Sequence, residues 1–154
     1  MQLQWQLQHS SQLSLQQLYE ILALRNQAFI VEQNCPYQDL DGLDLLASTY
    51  HVLAYRKEGK LVAISRLLDV GQAQQDVRIG RVVVTSEYRG YGVGDQLMAQ
   101  SLQHAQQLKM SQQGIYLSAQ AHLQHFYAKF GFQTVTEPYL EDEIPHVGMR
   151  NSNL

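Results

Sequence analysis

The chain has 154 residues, 45% of them hydrophobic and 16% charged, with a formal net charge of −3. That length suits one domain, residues 1–154, with a sizeable core, and the composition excludes a disordered chain. The mild acidity gives no electrostatic reason for a nucleic-acid or membrane partner, no apolar run approaches the roughly 20 residues of a bilayer span, and the single cysteine, Cys35, excludes an intrachain disulfide and a cysteine-only metal cluster.

The N-terminal MQLQWQLQHSSQL lacks the basic flank and apolar core of a secretory leader, so a cytoplasmic location is expected. Residues 3–8, LQWQLQ, alternate apolar and polar and predict a half-buried strand. Ser14 with Gln17 three residues later reads as a capping box, opening a helix with Leu15, Leu18, Ile21, Leu22, Arg25 and Phe29 at helical spacing. The segment 32–44, EQNCPYQDLDGLD, has no regular period and is expected to be a loop. Its Asp39, Asp41 and Asp44 lack the spacing of a calcium loop and predict a solvated acidic surface that attracts a cation. HVLAY (51–55) and LVAISRLL (61–68) read as two strands joined by the hairpin connection RKEGK. After a turn at 71–76, VRIGRVVV (77–84) predicts a central strand buried on both faces.

TSEYRGYGVGDQL (85–97) follows, with three glycines in five positions ahead of a helical stripe of Val93, Leu97, Met98, Ser101, Leu102, Ala105 and Leu108. A strand at 115–119, a short helix at 122–130 closed by Gly131, and strands at 132–135 and 145–149 complete the chain. The pattern predicts an α/β fold, a mixed and largely antiparallel central sheet flanked by helices.

A helix costs about 1 kcal/mol for each glycine in place of alanine, so the glycine turn needs a reason. The first amides of a helix have no partners within it, and the helix dipole puts about half a positive charge there. Glycines admit positive φ and close approach, and Arg89 adds a forked cation. Arg89, Gly90, Tyr91, Gly92, Val93 and Gly94 therefore form a candidate phosphate cradle. Asp95 stands where a Walker loop needs lysine and where a GxGxxG fingerprint begun at Gly90 needs glycine. What remains is [Q/R]-x-x-G-x-[G/A], met by Arg89, Gly92 and Gly94.

With that loop, RVVV before it and HFYAKFGF (125–132) after it, the sequence resembles the GNAT superfamily of N-acetyltransferases. More narrowly, VEQNCPYQDLDGLD, AQAHLQHFY and IPHVGM resemble its bacterial ElaA-like group. The resemblance implies a GNAT fold and an enzyme, an acyl-CoA-dependent N-acyltransferase. Acetyl-CoA is the implied co-substrate, with no metal, and a small-molecule or peptide amine the acceptor. It implies that the pantetheine arm pairs with Val82, Val83 and Val84 like an added strand, an amide there polarising the thioester carbonyl. It places a tyrosine acid at Tyr127. Gln120 stands where the family often has asparagine against CoA, and Gln124 is a further CoA candidate. A phenol, with a pKa of about 10, can protonate a leaving thiolate whose acid has a pKa of about 8.5. A lysine-like amine, with a pKa of about 10.4, needs a base, for which Glu32 and His146 are the candidates. Cys35 has no partner base set by the sequence, so direct attack is expected. A non-catalytic acyl-CoA-binding or sensing module on the same fold is the alternative reading, and a homodimer is left open.

Overall fold

The computed structural model describes residues 2–151. In chain order its elements are β1 (Gln4–His9), α1 (Leu15–Arg25), a π-helical continuation Asn26–Glu32, β2 (Tyr50–Tyr55), β3 (Leu61–Leu68), β4 (Val77–Val84), α2 (Val93–Leu108), β5 (Ile115–Gln120), α3 (Gln124–Ala128), β6 (Phe132–Thr134), β7 (Tyr139–Glu141) and β8 (Ile144–Asn151). All the strands join one sheet in the order β1-β2-β3-β4-β5-β8-β6, with β7 also paired to β8. Every pairing is antiparallel except β4 with β5.

Local signals account for most of these boundaries. Ser14 Oγ accepts from the Gln17 amide while the Gln17 side chain accepts from the Ser14 amide, the reciprocal cap that starts α1. Gly59 turns the β2–β3 hairpin at φ +91°, and Gly131 ends the α3 segment at φ +88°. The strand at Tyr139–Glu141 escapes the sequence reading because three residues are too few to show a period.

Two apolar clusters sit on opposite faces of the sheet. Leu97, Met98 and Ala105 of α2, with Tyr127 of α3, pack on Val52, Ala54, Val77, Leu117, Val147 and Met149. Ile21 and Leu24 of α1, with Ala28, pack on Leu53, Ile64 and Val83. The α1 stripe departs from expectation: Leu15 is exposed, and Leu24 and Ala28 take inward positions. Ser101 of α2 is buried because its hydroxyl meets Ser65 of β3 at 2.6 Å. No helix among the described residues is long and apolar enough to cross a membrane.

Strand β4 is central but is not buried on both faces as expected. It pairs with β5 only at Val77 and Arg78. The β3–β4 register slips between Ile64 and Arg66, and Arg81 takes φ +50°, so β4 carries a bulge. Beyond it β4 follows β3 away from β5, and Val82 and Val84 are left half-buried. The sheet is split at its middle.

Candidate active site

The split is lined from both faces of the sheet. The larger recess, about 400 Å³, takes Phe29 and Gln33 from the α1 side, Leu123 and Tyr127 from the α3 side, Val82 from β4, Gln120 from β5 and His146 from β8. A second recess of about 310 Å³ is lined by Ala28, Glu32, Val83, Val84 and Arg89, and shares Phe29, Gln33 and Val82 with the first. The two are halves of one groove along the open edge of β4.

At one end lies the glycine turn. Gly90 and Gly92 have φ +84° and +78°, and Gly92 is the N-cap of α2 without any side-chain cap. A Cβ at either glycine would meet nothing within 4 Å, so conformation rather than crowding requires them. Gly94 is different: its φ is not positive, and an added Cβ would only touch the Phe126 ring at 3.8 Å. Val93 is buried beneath the turn, while Tyr91 is exposed. Arg89 donates from Nε to the Val84 carbonyl at 2.9 Å, and its Nη2 lies 2.9 Å from a Glu32 carboxylate oxygen.

At the other end, strand periodicity puts Tyr116, Ser118 and Gln120 on one face of β5, opposite His146, Gly148 and Arg150 of β8. His146 is 8% exposed. Its Nδ1 lies 2.7 Å from the Ile144 carbonyl and its Nε2 3.4 Å from Glu141. Tyr127 reaches the same cavity, and its burial raises the phenol above the ordinary value of 10. It therefore keeps its proton throughout the neutral range. Gln120 lines the cavity, whereas Gln124 lines neither recess; its amide bonds the Ala121 carbonyl and the Thr134 hydroxyl. Tyr127, His146 and Gln120 thus come together, and Glu32 stands apart with Arg89.

The acidic loop is solvated only in part: Asp41 is exposed, but Asp39 and Asp44 are not. Asp39 and Asp44 are buried against three arginines from the sheet and α1. Arg25 bonds Asp39 at 2.8 Å and Asp44 at 2.5 Å; Arg66 bonds Asp41 at 2.8 Å and Asp44 at 3.0 Å; Arg81 bonds Asp39 at 2.8 Å. Burial acts to raise the Asp41 carboxyl, but its hydrogen bonds to Arg66 and the Leu43 amide outweigh that and hold it at about 2. The three aspartates are thus matched by three arginines. Arg81 is the bulge residue of β4, so this network also pins the strand where it leaves β5. Burial pushes the phenol of Tyr37, which donates to Asp39, up to about 12.

Sequence reasoning missed Tyr37, Arg66, Arg81, Tyr116, Ser118 and Glu141 as cavity residues. Arg66 carried one signal, being a lone cation inside an apolar strand, whereas Arg81 shares β4 with Arg78. Glu141 carried none, because β7 itself was not recognised.

The model of the acetyltransferase (GNAT) domain family matches residues 9–152. Protein ElaA of Escherichia coli (strain K12) is 48% identical over 147 residues, 96% of this chain and 95% of that protein. The crystal structure of an acyl-CoA N-acyltransferase from Pseudomonas aeruginosa is 51% identical with a TM-score of 0.92, covering 98% of this chain and all of that one. The crystal structure of Escherichia coli ElaA is 46% identical with a TM-score of 0.91 at the same coverage.

Proposed function

The chain belongs to the GNAT acetyltransferase family, and from that premise we propose that it transfers an acetyl group from acetyl-CoA to a primary amine by direct attack. One observation carries the reading. Arg89, just ahead of the uncapped start of α2, lines a recess along the unpaired edge of β4, and that recess shares Phe29, Gln33 and Val82 with the cavity holding Tyr127 and His146.

The residues fit the co-substrate. The amides from Tyr91 to Gly94 and the Arg89 guanidinium take the pyrophosphate, where the dipole of a 16-residue helix favours an anion. Val82, Val83 and Val84 present the β4 edge to the pantetheine arm, and Gln120 flanks it from β5. Acetyl-CoA, when bound, supplies an activated carbonyl and a thiolate leaving group. Tyr127 holds a proton on its hydroxyl for the leaving sulfur. His146 Nε2 takes the proton of the incoming amine. Glu32, the other candidate base, instead holds Arg89 in place. The chemistry needs no metal, and the acceptor enters from the side of His146.

Isothermal titration of the purified protein with acetyl-CoA tests the donor site. Wild type should bind, Arg89→Ala should bind roughly tenfold more weakly or worse, and the Gly92→Val/Gly94→Val double variant should not bind. A folded wild type that ignores acetyl-CoA would sink the reading. In a primary-amine transfer assay, Tyr127→Phe should lower kcat roughly a hundredfold or more with acetyl-CoA affinity unchanged. Binding without turnover on any amine would favour the non-catalytic module.

A further inference from the structure

Glu141 ends β7 and lines the cavity, yet no role given so far uses it. Its Oε2 lies 3.4 Å from His146 Nε2. Its Oε1 accepts a long hydrogen bond from Ser118 Oγ at 3.5 Å, and Ser118 shares a short one, 2.5 Å, with the Tyr139 hydroxyl. The Tyr139 ring stacks on the imidazole at an interplanar angle of 25°. Ring and carboxylate are thus held against each other by Ser118 of β5 and Tyr139 of β7.

The state of the ring follows from its other nitrogen. A carbonyl oxygen only accepts, so the 2.7 Å contact of Nδ1 with the Ile144 carbonyl puts the hydrogen of the neutral ring on Nδ1. Nε2 then carries a lone pair and faces a carboxylate, which also only accepts. Neither supplies a hydrogen to the other. A proton brought to Nε2 satisfies both, and the cavity on which both open is where an amine would bring one. The Glu141 side chain is 52% exposed, so it also touches solvent.

We infer that Glu141 is a positioning residue that acts through His146, drawing the acceptor's proton across Nε2 and out to solvent. The inference rests on the transferase reading above. An acceptor that arrives as an ammonium gives up two protons in becoming an amide. One balances the proton that Tyr127 delivers to sulfur and must recover. The other must leave the protein. Its N–H bond breaks as Nε2–H forms; Nε2–H then breaks as Oε2–H forms, and the carboxyl group releases the proton to water. No oxidant or further reactant is needed.

The test has an activity-independent arm. In long-range ¹⁵N–¹H spectra of the wild type, the neutral His146 ring should carry its hydrogen on Nδ1. A hydrogen on Nε2 would mean that Glu141 merely accepts from a fixed donor, and would overturn the inference. The kinetic arm uses spermidine, lysine and a tripeptide with a free N-terminus as acceptors. Glu141→Gln puts an amide donor against Nε2 and should lower kcat roughly a hundredfold, with acetyl-CoA affinity by titration within about twofold of wild type. Glu141→Ala should regain several-fold rate in added formate, which replaces the carboxylate. A Glu141→Gln variant at wild-type rate overturns the inference. So does a Glu141→Ala variant that melts lower and gains nothing from formate, since that marks a purely structural role. Wild-type failure on all three amines counts against the transferase reading instead, and the ring tautomer still decides the His146–Glu141 pair.

Discussion

The side chains around Asp39 show how little charge alone says about role. As free carboxylates, Asp39, Asp41 and Asp44 would draw a cationic acceptor; bonded to Arg25, Arg66 and Arg81 they hold a strand in position. Removing one partner of a buried pair leaves the other uncompensated, at a cost of about 3 kcal/mol or more. Asp39→Ala should therefore shift the urea midpoint strongly downward, and its loss of activity should follow its loss of folded protein. A stable Asp39→Ala variant whose only defect is a raised KM for the amine would restore the cation-attracting role. Gln113 is a second buried anchor. Its Nε2 donates to the carbonyls of Asp69, Gln72 and Gln75, and its Oε1 accepts from the amides of Gly71 and Met110. Gln113→Leu should cost about 2–3 kcal/mol in urea unfolding, because buried amides and carbonyls lose their partners at once.

The decisive element is β4. A bulge at Arg81 and a two-residue pairing with β5 turn a central strand into an internal edge, and an internal edge is what an extended ligand can pair with. The start of α2 completes the site, and its three glycines separate by function. Gly90 and Gly92 serve backbone conformation, while Gly94 has ordinary helical backbone and room for a methyl group. Gly94→Ala should leave thermal stability equal or raised, by up to about 1 kcal/mol from helix propensity, while weakening acetyl-CoA binding in titration. Equal binding by that variant would show that close approach at Gly94 is not needed. At the other helix, Ser14→Ala removes the reciprocal cap and should cost about 1 kcal/mol without touching the groove.

Across the whole molecule, titratable groups whose pKa values shift on folding set a window of pH stability. Burial lowers the imidazole pKa of His51, so the folded state keeps this ring neutral where the unfolded chain protonates it; stability therefore declines as pH falls below about 6.5. Asp41, held at about 2 against an ordinary 3.8, adds stability that is complete above the ordinary value and lost as pH falls through 2. Tyr37, pushed up to about 12, stays protonated when its unfolded counterpart ionises, so stability also falls as pH rises beyond about 10. Melting temperature measured from pH 2 to 11 should show a plateau between about pH 6.5 and 10 with a descent on each side. His51→Gln should flatten the first part of the acid limb, and Tyr37→Phe the alkaline one.

Local chemistry in the chain determined a great deal by itself. The Ser14–Gln17 cap, the β2–β3 hairpin, the α2 stripe and the glycine turn are each written within a few neighbouring residues, because caps, turns and periodicities act over one or two turns of chain. The stretches around Tyr127 and His146 carried the family resemblance in the same way. The tertiary structure decided what depends on distant partners. It paired the Arg25, Arg66 and Arg81 guanidiniums with an acidic loop that reads as open surface. It parted β4 from β5, set Glu32 on Arg89, and brought Ser118 of β5 to Glu141 of β7. Those outcomes rest on which strand lies beside which, and no window of sequence contains both sides of such a contact.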